Sequence, residues 1–236
     1  MGAKITKCLL LVTAILTAWI SSPHAGDKTL ESFRRLRSDP RAKTQLAAIA
    51  EAALRLAQGE AASLPSDLLP VFEKPLPIFI TVETGGRVRG CMGSIKPMTN
   101  SLAEEIIATM RRALYQDPRH RPVTDGEIPQ LKVYVTAVGR PQAVRRLNQL
   151  SPSRDGALLR SGDKEAIALP GEAKTLRYLL AFLKAKAGVK QGDPYQLYRL
   201  PSVTIPVSRI FLITPEDPLS HRSVNNPLNR DHKAIK

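Results

Sequence analysis

The stretch best equipped for chemistry is Arg87-Val88-Arg89-Gly90-Cys91-Met92-Gly93-Ser94, which sets one thiol between two glycines and close to two guanidinium groups. Small neighbours let a ligand or a second backbone approach closely, and nearby positive charge favours thiolate over a thiol of ordinary pKa about 8.5. Cys91 is therefore a candidate nucleophile or substrate contact; the alternative is a small buried hydrophobe beside glycines that a turn requires. Arg87 and Arg89 could hold a carboxylate or phosphate through forked donors, with Gly90, Met92, Gly93 and Ser94 completing the contact surface, or could line a solvated strand face. In a regular strand Arg87, Arg89 and Cys91 share one face, and a bulge at a glycine changes that.

A base for the thiol is scarce. Outside the chain ends, which carry His24, His221 and His232, the sequence offers His120 alone. A Cys91–His120 dyad, with Asp117 orienting the ring, is the sole Cys/His nucleophile arrangement available; Asp117-Pro118 reads equally as a helix stop. One cysteine and scattered histidines give no metal-ligand spacing. The glycine pairs sit in a hairpin pattern rather than before a helix, so no metal and no cofactor is expected.

These residues need elements to position them. Arg41–Gln58 is rich in helix formers, with Leu46, Ile49, Ala50, Ala53, Leu54 and Ala57 on one stripe and Gly59 as a stop. Pro65, Pro70, Pro75 and Pro77 mark an irregular connection. Ile78–Glu83 and Val88–Ile95 flank Gly85-Gly86, a hairpin signal, and Ser101 with Glu104 opens a helix that ends at Asp117-Pro118. Leu131–Val138 alternates as a strand, 157–169 reads as a second hairpin, and Glu172–Ala187 as a helix bounded by Gly171 and Gly188. Tyr195–Leu200 and Val207–Ile213 are the last strand candidates, and 214–236 reads as a flexible tail. Grouped hairpins and separated helices predict an α+β fold.

The run Arg89-Gly90-Cys91-Met92-Gly93-Ser94, after a strand and a glycine hairpin, resembles the signature of the AMMECR domain family, usually Arg-Gly-Cys-Ile-Gly-Ser. Asp117-Pro118-Arg119 with Pro122-Val123-Thr124, Glu127-Ile128-Pro129-Gln130-Leu131, Asp155-Gly156, Ala168-Leu169-Pro170, Lys186-Ala187-Gly188 and Leu197-Tyr198-Arg199 follow in the family's order. The resemblance covers about residues 45–205, within a domain placed at 41–213. It implies an antiparallel sheet flanked by helices, in two subdomains, with the signature lining a cleft between them. His120 replaces the family's usual Phe, Met92 its Ile, and Lys184 stands where a Cys is often found. In bacteria and archaea such domains accompany Memo-type and radical SAM proteins.

The chain has 236 residues, 43% hydrophobic and 5% aromatic, with a formal charge of +14. That composition excludes a polytopic membrane protein, a fibre and a disordered chain. Lys4 and Lys7 precede an uncharged run from Cys8 to Ile20, too short to span a membrane, so residues 1–25 read as a secretory signal peptide and 26–40 as an N-terminal approach. Its removal leaves +12 and one cysteine, so stability must come from packing without an internal disulfide. The expected location is periplasm or cell envelope, which would separate the chain from a cytoplasmic Memo-type partner. Few aromatics interleave with the basic clusters, so nucleic acid is disfavoured. Three function classes stay open: a module binding a small anionic or peptide-like ligand around Arg89–Ser94, a thiol-dependent enzyme using Cys91, and a basic envelope-associated scaffold.

Overall fold

The computed structural model describes residues 25–207. The expected leader lies outside them but for Ala25, the expected strand Val207–Ile213 but for Val207, and the expected tail wholly. In chain order the elements are α1 (Ala25–Arg35), α2 (Pro40–Ala57), β1 (Ile78–Thr84), β2 (Arg87–Gly93), α3 (Leu102–Tyr115), β3 (Lys132–Val138), β4 (Gln142–Val144), β5 (Gly156–Ser161), β6 (Lys164–Ala168), α4 (Leu176–Ala187), β7 (Gln196–Leu200) and β8 (Ser202–Val207). Short 3-10 turns occupy Asp125–Gln130 and Leu147–Gln149.

Local chemistry explains the boundaries. Asp39 caps α2 by accepting from the Ala42 N–H at 3.2 Å, and Pro40 at the first helical position gives up a donor that would have no partner. Ser101 caps α3 the same way, accepting from the Glu104 N–H at 3.2 Å. The proline-rich connection after α2 is irregular but fastened: the buried Gln45 donates to the Asp67 carbonyl at 2.7 Å and accepts from the Leu69 N–H at 2.8 Å. Gly85 and Gly86 both take positive φ, which the tight β1–β2 turn requires.

The strands form two four-stranded antiparallel sheets, ordered β2-β1-β3-β8 and β4-β7-β5-β6, so the α+β architecture stands. Ile78, Ile80 and Val82 of β1, Val133, Val135 and Ala137 of β3, and Val203 and Ile205 of β8 turn one face of the first sheet into the main core. Against it pack Leu30 and Phe33 of α1, Leu46 and Ile49 of α2, and Ile106 and Met110 of α3. Burying each such side chain is worth about 1.5–3 kcal/mol. A smaller core joins Leu179 and Leu183 of α4 to Leu159, Ala166 and Ala168 of the second sheet. The chain passes from one sheet to the other through the single residue Pro201, and the Gly139 N–H donates to its carbonyl at 2.7 Å where β3 leaves for β4.

Two expectations are corrected. The last helix begins at Leu176, not Glu172: Thr175 caps it, accepting from the Tyr178 N–H at 3.2 Å, while the Glu172 carboxylate turns back to the Leu169 N–H at 2.9 Å. The final described strand is Ser202–Val207, preceded by Pro201 and containing Pro206, where sequence patterning placed no strand over 202–206. Pro206 is tolerated because, among the described residues, β8 is an edge strand bonded to β3 alone.

Candidate functional site

Because side chains alternate along a strand, the residues between the buried ones point to the opposite face of the first sheet. That face carries Thr81, Glu83, Tyr134, Thr136 and Thr204, and with Cys91 it floors a cleft of about 1390 Å³. The opposite wall comes from the second sheet and its loops: Gln142, Ser151, Arg154, Glu172 and Arg199.

A β-bulge decides which signature residues face the cleft. Val82 lies opposite Gly90 but Glu83 opposite Val88, so Arg89 is an extra residue in β2. The bulge puts Val88 and Cys91 together on the cleft floor. Arg89 instead reaches the 3-10 turn at 125–130 and donates to both carboxylate oxygens of Glu127, at 2.6 and 3.2 Å. That bond, with the Thr124 N–H and hydroxyl, draws the Glu127 carboxyl down to about 2.

The two signature glycines answer to packing. A Cβ on Gly90 would stand 1.9 Å from the Ala113 carbonyl oxygen, because α3 lies directly on β2 there. A Cβ on Gly93 would stand 2.3 Å from the Ile78 carbonyl oxygen. Both positions require glycine for close approach of backbone to backbone.

Cys91 lies across the ladder from Thr81, whose hydroxyl donates to the thiol sulfur at 3.3 Å. β2 is an edge strand, and its outward N–H and C=O at Cys91 meet side chains instead of another strand. The N–H donates to Asp117 Oδ2 at 2.8 Å, and the carbonyl accepts from Arg119 Nη2 at 2.7 Å. The clip closes on itself, since Arg119 Nε donates to Asp117 Oδ1 at 2.9 Å and Nη2 to Oδ2 at 2.8 Å. Burial alone would raise the Asp117 carboxyl, but the Arg119 guanidinium and the N–H groups of Cys91 and Arg119 outweigh it and hold the carboxyl well below the usual range. Burial pushes the Cys91 thiol up, and Glu172 adds to this; Thr81, Arg119 and Lys186 oppose it without reversing it. The balance favours the neutral thiol.

The model of the AMMECR1 family matches residues 47–204, more than half of the chain and the whole signature region. The chain belongs to the AMMECR1 family. A Thermotoga maritima protein is 32% identical over 141 residues, covering 58% of this chain and 79% of that protein. A Methanothermobacter thermautotrophicus protein is 34% identical over 116 residues, covering 48% and 57%. A Clostridium acetobutylicum protein is 29% identical over 122 residues, so the chain spans 26% of its length and 51% of this chain is covered. The crystal structure of an uncharacterized protein from Pyrococcus horikoshii superposes with a TM-score of 0.60 at 22% identity, over 69% of this chain and 88% of that one, which shows the shared fold.

Within this AMMECR1 domain, Cys91 and His120 line the same cleft, but the thiol's partner is Thr81. Asp117 does not orient the imidazole; its side chain holds Cys91 and Arg119, while its carbonyl accepts the His120 backbone N–H at 3.2 Å. Arg87 lies exposed at the hairpin, Arg89 at Glu127, and Gly90, Met92, Gly93 and Ser94 behind or beside the cleft floor. Arg34 and Arg37, noticeable in sequence only as part of a basic cluster, Arg199, met only in the Leu197-Tyr198-Arg199 match, and Arg154 also line the cleft, and none of them was expected as a site residue. Only the alternation of Thr81, Tyr134 and Thr136 with buried neighbours signals that face from sequence. Among the described residues no group of three His, Cys, Asp or Glu side chains is placed to hold a metal.

Proposed function

We propose that the cleft binds an anionic ligand beside Cys91, with Arg119, Arg154 and Arg199 as the charged contacts and the thiol as a neutral one. One observation carries the reading: the lining holds five arginines against three carboxylates. Two of those carboxylates are already engaged by backbone, Asp155 by the Ser151 N–H at 2.9 Å and Glu172 by the Leu169 N–H at 2.9 Å. A positive cleft walled by low-dielectric protein concentrates anions and strengthens forked guanidinium contacts. The upward shift of Cys91 supports a binding module over a thiolate nucleophile. Arg87 and Arg89 play no direct part in this reading, since neither lines the cleft; Arg119 does, and its exposed edge stays open to a ligand although Asp117 holds it from behind. Export to the periplasm or envelope, and separation there from a Memo-type partner, belong to the same proposal and rest on the N-terminal sequence.

The test is protection of the thiol. In a chain carrying Cys8→Ser, inorganic phosphate or succinate at low ionic strength is expected to slow alkylation of Cys91 in a saturable way, and Arg199→Gln to weaken that protection about tenfold. Labelling indifferent to every anion, with the fold intact, would exclude the reading.

A further inference from the structure

The positive charge of the cleft is divided between its two ends. The floor runs across four strands, from Cys91 on β2 through Thr81 on β1 and Thr136 on β3 to Thr204 on β8. Strands lie about 4.8 Å apart, so the floor spans about 14 Å. At the β2 end stands Arg119, bonded to the Cys91 carbonyl. At the β8 end stand Arg34, whose Nη1 donates to Glu31 Oε2 at 2.8 Å on the exposed side of α1, and Arg37, whose Nη2 donates to the Thr204 carbonyl at 2.8 Å. Between the ends the floor is mostly hydroxyl-bearing: Thr81, Tyr134, and Thr136 sharing a 3.0 Å hydrogen bond with Thr204, with one carboxylate, Glu83, that accepts from the Tyr134 hydroxyl. The amide of Gln142 faces it from the other wall, fixed by Arg199 Nε at 3.1 Å.

The β8 end owes its charge to α1 and the turn after it. Leu30, Phe33 and Leu36 seat this segment in the main core, which fixes where the two arginines emerge. Both arginines precede residue 47, where the family match begins. A cleft of about 1390 Å³ also exceeds the roughly 300–1,000 Å³ of ordinary small-molecule sites.

We infer that Arg34 and Arg37 form a second anion subsite, so that this chain takes an elongated, polyhydroxylated ligand with acidic groups near both ends, the class of acidic oligosaccharides and glycosyl phosphates. The inference rests on the anion-binding reading of the Arg119 end and adds the far end and the hydroxylated span. Peptides of similar charge are the poorer fit, because the cleft is lined by a sheet face and not by an open strand edge that could pair with a main chain. The hydroxyl and amide floor matches alternating donors and acceptors along a sugar chain.

The experiment is calorimetric titration of the full chain, at low salt, with galacturonic acid oligomers of one to six units. Affinity is expected to rise on the order of tenfold from the monomer to about four units and then level off, as the second acidic group reaches Arg34 and Arg37. In Arg34→Ser/Arg37→Ser the longer oligomers are expected to bind like the monomer; Arg34→Ser alone, at an exposed residue, gives the same direction with less risk to folding. Oligoglutamates and short polyphosphates of equal charge test the hydroxylated span and are expected to bind at least about tenfold more weakly than the sugar acid. Glycerol phosphate oligomers, tested beside the uronic acids, separate phosphate-bearing from carboxylate-bearing sources. A length dependence unchanged by either variant, or equal binding of oligoglutamate, overturns this inference while leaving the Arg119 site in place. Failure of the monomer and of inorganic phosphate to bind at all would instead remove the anion-binding reading itself.

Discussion

Gly90 and Cys91 are neighbours on one strand that answer to opposite demands. Gly90 faces α3 at a distance where no side chain fits, so its identity is set by packing. Cys91 faces the cleft, and its surroundings leave the sulfur room: a hydroxyl across the ladder and an ion pair holding its backbone from the edge. A signature that looks uniform in sequence is thus half scaffold and half site, divided by the alternation of the strand and shifted by the bulge at Arg89. The difference predicts that substitutions on the helix side cost stability, while those on the cleft side alter accessibility and binding.

Gly90→Ala is the most severe break. Its methyl group would overlap the Ala113 carbonyl, a backbone atom of a long helix that cannot move alone, so α3 must lift off β2. A loss of about 3 kcal/mol or more is expected in denaturant unfolding. A loss below about 1 kcal/mol would mean that the helix has slack and that the glycine serves the cleft instead.

Asp117→Asn comes next, because it removes charge from the clip and leaves the shape nearly unchanged. The Cys91 N–H then faces a weaker acceptor and Arg119 loses its bidentate partner, for an expected cost of about 2 kcal/mol. The cleft-side signature is that alkylation of Cys91 also becomes faster, since the β2 edge loosens. Lost stability with unchanged labelling would place Asp117 on the scaffold side of the comparison.

Acid tests the same clip against the Arg89–Glu127 pair. Both carboxyls titrate lower in the folded chain than in the unfolded one, so their contribution is complete above the ordinary carboxylate range. The Glu127 part is lost as pH falls from about 4.5, its ordinary value, toward about 2, its folded value, and the Asp117 part as pH falls from its ordinary value of 3.8 to below that window. Wild type is expected to lose stability steeply over that window, Glu127→Gln a little less so, and Asp117→Asn markedly less so, because Asp117 is the more buried of the two. At neutral pH Glu127→Gln is expected to lower Tm by about 2 °C, as suits a partly exposed pair.

Much of the scaffold side was legible in the sequence. The apolar stripe from Leu46 to Ala57, the Ser101 cap, the Gly85-Gly86 turn and the alternation at 131–138 each follow from local rules that tertiary contacts reinforce. The site side was legible only in part. The bulge depends on how β2 pairs with β1, so no count along one strand could show that Arg89 leaves the face of Cys91. Arg119 was visible only as part of the Asp117-Pro118-Arg119 segment, but its role comes from the way Asp117 and Arg119, 26 and 28 residues beyond Cys91, close on the edge of β2. The other cleft arginines come from α1, a loop and β7, and only the meeting of two sheets gathers them. The Glu172–Lys174 stretch misled for a related reason: its helix-forming residues are used to tie down the Leu169 turn that forms part of the wall.

Cys91 itself is expected to matter least for stability and most for reading out the cleft. Replacement by serine keeps the size, and the half-buried position gives the new hydroxyl Thr81 as a partner, so unfolding free energy is expected to change by about 1 kcal/mol or less. The informative measurement is the pH dependence of alkylation with Cys8 removed. Because burial raises the thiol above its ordinary value, the neutral form is favoured, and the rate at pH 7 is expected to fall below that of a model thiol. The rate then climbs with pH through a midpoint above that value. Asp117→Asn, by opening the edge to water, is expected to bring the midpoint back toward the ordinary value. A midpoint near or below 7 in the wild type would invert the comparison, since the cleft side of β2 would then hold an activated thiolate and not a contact surface for an anion.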